Sequence, residues 1–162
     1  MKLPQVTVLG VGNILLTDEG FGVRVVEALY ERYLFPGNLA LVDGNVMGLN
    51  LLGIISEANH LIVVDALKNG EKPGTIHRLE GDAVPRRIRA KNSLHQVDLL
   101  EALTLCRVLG NVPQTVILGA EPADIETLGI ELTAVLAKQV DPMIERVLEE
   151  LDRLNIAYTK KE

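Results

Sequence analysis

QVTVLGVGNILLTDEGFGVRVVEALYERYL, residues 5–34, is the stretch whose reading decides the fold. QVTVLGV, residues 5–11, is an apolar run of strand length and reads as a buried strand. FGVRVVEALYERYL, residues 21–34, carries Val23, Val26, Leu29, Tyr30 and Tyr33 at helical spacing, with Arg24, Glu27, Glu31 and Arg32 outward. Between strand and helix lies a loop with the glycines of a phosphate cradle and an adjacent acidic pair, Asp18–Glu19. It is a nucleotide cradle, a metal site or a tight turn, and the choice carries the function.

Outward from this unit, the alternation continues. PGN at 36–38 stops the helix, and LALVD, 39–43, reads as a second strand. A short helix is expected across 48–58, and HLIVVD, 60–65, reads as a central parallel strand covered on both faces. NGEKPGT, 69–75, is a turn, and IHRLE, 76–80, alternates like a more exposed edge strand. Residues 81–92 read as a polar surface loop, 93–109 as a helix ended by Gly110 and Asn111, and TVILGA, 115–120, as the fifth strand. Residues 133–154 predict one long amphipathic helix, with frayed residues after it. This pattern predicts a three-layer α/β/α sandwich: one domain over residues 1–162, with a five-stranded, mostly parallel, twisted sheet and helices on both faces. In such folds the loops at the carboxyl ends of the strands meet in a crevice where strand order reverses. Asp18–Glu19, Asp43 and Asp65 all fall at such ends.

The bulk composition narrows the partners. The chain is 48% hydrophobic and 23% charged, with a net charge of -6. Its densest basic stretch, PRRIRAK at 85–91, is too short to suggest a nucleic-acid groove. No apolar run is long enough to span a membrane. The apolar run within MKLPQVTVLGVGN breaks at Gly10 and lacks the pattern of a signal peptide, so a cytoplasmic location is expected. Cys106 is the single cysteine, set in an apolar helical pattern that favours burial over nucleophilic work.

The glycine loop fails as a dinucleotide fingerprint. Gly10-Val11-Gly12-Asn13-Ile14-Leu15 lacks the third glycine. A phosphate would meet Asp18 and Glu19 before any helix start, and their charge repels it. Asp43 lies 33 residues beyond Gly10, whereas a ribose-binding acid falls about 20 residues on. No Gly-Lys-Ser/Thr follows, so a Walker loop is also absent. A helix-capping role for Asp18 or Glu19 is the simplest alternative. Two adjacent acids repel each other, however, and a cation would relieve them. Gly10 and Gly12 then let the strand end bend, while Gly20 and Gly22 let the backbone approach a neighbour closely.

A third ligand candidate lies in Ser93-Leu94-His95-Gln96, which has the form of a capping box and puts His95 in the first helical turn. The positive end of a helix disfavours imidazolium there, and a neutral imidazole is what a metal requires. The other two histidines, His60 at the start of a strand and His77 in the exposed strand, read as structural or surface residues. The candidate site is therefore Glu19, Asp65 and His95 around one cation, with Ni²⁺, Zn²⁺, Mn²⁺ and Fe²⁺ all compatible. Neither H-E-x-x-H nor C-x-x-C is present, and three protein ligands leave positions open.

With these residues in view, the chain resembles the hydrogenase maturation proteases, the endopeptidases that trim nickel-iron hydrogenase large subunits. The resemblance runs over roughly residues 3–155 and is most specific in GVGNILLTDEGFGVRVVEAL, 10–29. LVDG at 41–44, LLG at 51–53, LIVVDA at 61–66, PGT at 73–75 and SLHQ at 93–96 support it. It implies removal of a C-terminal peptide from the large subunit precursor after nickel insertion, with Glu19, Asp65 and His95 contacting the metal. Nickel would come with the substrate, and no tightly held cofactor of the enzyme's own is implied. Asp43 and Gly44 match the family's Asp-Gly motif, but the glycine that usually follows is here Asn45. Asp43 or one of the ligands is the candidate general base, and the peptidase is aspartic-type or metal-assisted. No Asp-Thr-Gly repeat supports a two-aspartate dyad. A nickel-binding, non-catalytic maturation chaperone, a general metallopeptidase and a nucleotide-binding α/β protein are the alternatives. The oligomeric state stays open between monomer and dimer.

Overall fold

Alternation along the strands sorts the apolar side chains onto two faces, and both faces are covered. The computed structural model describes residues 3–44, 49–81 and 112–162, together with Thr104 and Gly110. Within them, β1 (Val6–Gly10), β3 (Leu39–Asp43), β4 (His60–Ala66), β5 (Ile76–Glu80) and β6 (Gln114–Ala120) form a five-stranded sheet in the order β3-β1-β4-β6-β5. The first four positions in that order are parallel, and the edge strand β5 runs antiparallel to β6. The predicted α/β sandwich, with its exposed edge strand at 76–80, is what the chain adopts.

On one face Val6, Val8, Ile62, Val64, Leu118 and Ala120 pack against α1 (Phe21–Arg32) and the long C-terminal helix. On the other, Leu9, Leu61, Val63 and Ile117 pack against Ile55 of α2 (Leu49–Ser56). The chain leaves β1 for β3 on one side through α1, then crosses back to β4 on the other side through α2. Right-handed crossovers in opposite directions put the two helices on opposite faces. Strand order therefore reverses at β1 and β4, and the crevice lies at their carboxyl ends.

Four expectations need correction. The predicted helix at 133–154 is two: α3 (Ala134–Ala137) and α4 (Val140–Arg153). Pro142 has no N–H for the Lys138 carbonyl and its ring crowds that oxygen, so the chain turns at Lys138–Gln139 and starts again. The first helix also ends early. Tyr33 is extended (φ -132°, ψ 154°), and β2 (Tyr33–Leu34) pairs antiparallel with β7 (Thr159–Lys160). The end that was expected to fray is thus paired, and Tyr158 packs edge-on against Tyr33 with centroids 6.0 Å apart. Tyr30, assigned to the buried stripe, is 70% exposed, with Lys161 Nζ 5.3 Å above its ring. Apart from Gly81 and the helical Thr104, the predicted loop at 81–92 and helix at 93–109, with Cys106, lie outside the described residues.

The start of α1 meets the sheet backbone to backbone. A Cβ on Gly22 would overlap the Val64 carbonyl oxygen, and one on Gly10 would overlap the Gly22 carbonyl. Both obstacles are main chain and cannot rotate away. Gly22→Ala gains about 1 kcal/mol of helix propensity. The clash outweighs that gain, and the variant should lose about 2 kcal/mol or more of stability. A urea midpoint that falls at constant slope is the expected result.

Candidate functional site

The crevice is built by three chain segments. β1 ends at Gly10, and the Val11 N–H still donates to the Val64 carbonyl (2.9 Å), so the chain leaves the sheet alongside β4. Gly12 then adopts φ +137°, a conformation open to glycine, and the Glu19 carbonyl sits where a Cβ would be. This folds residues 13–16 back, so that the 3-10 turn Thr17–Gly20 packs on β4. Glu19 is half-buried in that turn, and Asp65 near the end of β4 is 5% exposed. The two candidate ligands therefore lie on touching elements at the same end of the sheet. Each engages neighbouring groups.

Asp18 does something other than cap a helix. Neither the 3-10 turn nor α1 has a side-chain cap. The Asp18 carboxylate is fully buried and reaches instead into the segment after β6. Its Oδ2 accepts the N–H groups of Ala123 (2.9 Å) and Asp124 (3.0 Å). Its Oδ1 accepts the Thr133 N–H (2.8 Å), and the Thr133 hydroxyl bridges both oxygens. A buried charge is tolerable when its lone pairs are filled in this way.

The same segment holds Thr17. Its φ of +54° is unusual for a β-branched residue. Its N–H donates to the Gly129 carbonyl (2.9 Å) and its hydroxyl to the Thr127 carbonyl (2.5 Å), which over-determines the strained geometry. Within the segment, the Thr127 hydroxyl and the N–H groups of Thr127 and Glu126 hold the Asp124 carboxyl below the usual carboxylate range.

Asp43 ends β3 and is exposed. Its Cα partner is Gly10, whose partner on the other side is Val64. Asp43 and Asp65 are thus separated by two inter-strand spacings, about 10 Å. Alternation puts Asp43 on the face of Leu41, and Asp65 on that of Val63. His95 and Asn45 lie outside the described residues. Among the described residues no three of His, Cys, Asp and Glu converge as a metal site, and the proposed set includes His95. His60 stands at the opposite end of β4, beside a cavity of about 560 Å³ that Arg78 and Glu150 also line. His77, on β5, has a buried Nε2 with no hydrogen-bond partner among the described residues.

Sequence reading passed over Glu121, which is 2% exposed at the end of β6. Its carboxylate accepts the N–H groups of Asn69 (2.7 and 2.9 Å) and Glu71 (2.6 Å), fastening the turn after β4. An acid placed directly after a strand and before Pro122 was the available signal.

Known proteins resemble the chain over nearly its whole length. Residues 23–150 match the family model described as hydrogenase maturation protease. The chain is 38% identical over 160 residues to the hydrogenase 2 maturation protease of Escherichia coli strain K12, covering 98% of this chain and 97% of that one. It is 39% identical over 161 residues to the hydrogenase expression/formation protein HupD of Thiocapsa roseopersicina, covering 98% and 73%. The solved hydrogenase maturating endopeptidase HybD from E. coli superposes with a TM-score of 0.93 at 37% identity, covering 97% of this chain and 98% of that one.

The four donors around Asp18 generate a prediction. Asp18→Ala strands them in the interior and should cost about 3 kcal/mol. Asp18→Asn keeps one acceptor oxygen and should lose less. Chemical denaturation of both variants checks the order.

Proposed function

We infer the function from one premise: the chain belongs to the hydrogenase maturation protease family and is a peptidase of that family. Its substrate is the precursor of a nickel-iron hydrogenase large subunit. It removes the precursor's C-terminal extension once nickel has been inserted. The substrate's own nickel is the recognition element, met by Glu19, Asp65 and His95.

The observation that carries this reading is the packing of the Glu19 turn on β4, the strand that ends with the nearly buried Asp65. Two carboxylates held at one strand end, with an imidazole as third donor, suit a borderline divalent ion. When the substrate's nickel arrives, three donors with a common target orient the scissile bond beside it. Without nickel those donors have no common target and the bond is misplaced. The metal therefore serves as a checkpoint on maturation. Bound beside the carbonyl, nickel polarises it or lowers the pKa of an attacking water. A carboxylate, either Asp43 or one of the ligands, takes the proton from that water.

Mass spectrometry of the precursor, incubated with and without this protein, tests the reading. Nickel-loaded precursor should lose its C-terminal peptide, and nickel-free precursor should stay intact. His95→Ala and Glu19→Gln should each lower processing by at least about a hundredfold while leaving the circular dichroism spectrum unchanged. Efficient cutting of nickel-free precursor would remove the checkpoint, and full activity of His95→Ala would remove the ligand assignment.

A further inference from the structure

We propose that Leu15, Leu128 and Ile130 form a ledge on which the precursor docks, through an apolar stretch of its chain flanked by Lys or Arg. This rests on the reading of the chain as the protease of that precursor.

Leu15, Leu128 and Ile130 are 54%, 80% and 64% exposed. Single exposed leucines are ordinary, but a contiguous group marks an interaction site. These three come from segments laid side by side. Leu16 and Gly129 form an isolated parallel bridge, and the Gly129 N–H donates to the Leu15 carbonyl (2.9 Å), which sets Leu15 beside Leu128. Ile130, two residues on, is exposed in the bend that follows the bridge.

The ledge is fastened rather than loose. Thr17 bonds the Thr127 and Gly129 carbonyls, Arg24 Nη2 donates to the Ile130 carbonyl (2.9 Å), and the Asp18 carboxylate holds both ends of the segment at 123–124 and 133. Leu15 also belongs to the loop that carries Glu19, four residues later. The segments that carry the ledge and the turn that carries Glu19 are therefore fastened to one another.

Charge selects the occupant. Glu126 and Glu131 are exposed at the two ends of the 127–130 stretch. An apolar segment with basic flanks complements that rim. A second copy of this chain, with a net charge of -6, would bring like charges together.

The test measures binding apart from cleavage. With labelled nickel-loaded precursor made uncleavable by a Pro directly after its scissile bond, Kd is determined for the otherwise wild-type protein, for Leu128→Asp/Ile130→Asp and for Leu3→Asp. Leu3 is exposed and precedes the amino end of β1, at the far end of the sheet. The ledge variant should raise Kd by about tenfold or more, and the Leu3 variant by less than about twofold. Glu126→Lys/Glu131→Lys should weaken binding at low salt, and the difference should vanish at high salt. With cleavable precursor, the ledge variant should raise KM and leave kcat within about twofold.

Unchanged Kd in the ledge variant, equal weakening by Leu3→Asp, salt-independent behaviour of the charge-reversed rim, or a fall in kcat at constant KM would overturn the proposal. So would a wild-type homodimer that the ledge variant dissociates, or no binding of precursor at all. Ledge-dependent binding without any cleavage would remove the protease reading and leave the ledge. Cleavage with ledge-independent binding would do the reverse.

Discussion

Helix α1 begins against the carboxyl ends of β1 and β4 with nothing but main chain between them. Most helices stand off a sheet by the thickness of side chains. Here Gly10 and Gly22 remove that spacer, and the Val64 carbonyl occupies the space a methyl group would take. The turn leading into the helix is drawn down with it. The turn that carries the half-buried Glu19 consequently packs on β4, the strand that carries Asp65. Without that close approach the turn would stand off β4 by the thickness of a side chain.

Much of the fold was legible in the residues because it follows from period and length. β4 and β6 are apolar on both faces, as central parallel strands must be, and the alternating IHRLE stretch lies at the edge. What sequence missed depended on contacts far apart in the chain. The pairing of Tyr33–Leu34 with Thr159–Lys160 joins residues more than 120 positions apart, and nothing local in either dipeptide announces it. The interruption between α3 and α4 was readable in principle, since Pro142 removes a donor and crowds a carbonyl. The strong amphipathic pattern outweighed that signal.

The candidate site was legible to a different degree. Acidic residues at strand ends identified the crevice, and Glu19 and Asp65 do lie on adjoining elements there. Acid type alone did not separate roles. Asp18, Glu121 and Glu150 are buried much as Asp65 is, yet each serves the fold. Asp18 holds the segment after β6, Glu121 the turn after β4, and Glu150 the Arg78 guanidinium of the edge strand. A buried carboxylate that fills its lone pairs with backbone N–H groups is a fastener, and its neighbour in sequence can be the working group. In the pair Asp18–Glu19 the first residue is such a fastener, and under the proposed function the second is the ligand, a division that composition and spacing do not resolve.

The over-determined geometry of Thr17 bears on how association is driven. A turn pinned by the Thr127 and Gly129 carbonyls on one side and by the Asp18 carboxylate on the other has few alternative shapes to sample. Little conformational entropy remains to be lost there when a macromolecule arrives. If the proposed docking holds, the cost of adaptation falls on the incoming polypeptide, which has to become ordered to fit a preformed surface. Discrimination between mature and immature clients would rest on how readily each client's tail can be ordered, with the receiving surface acting as a fixed gauge.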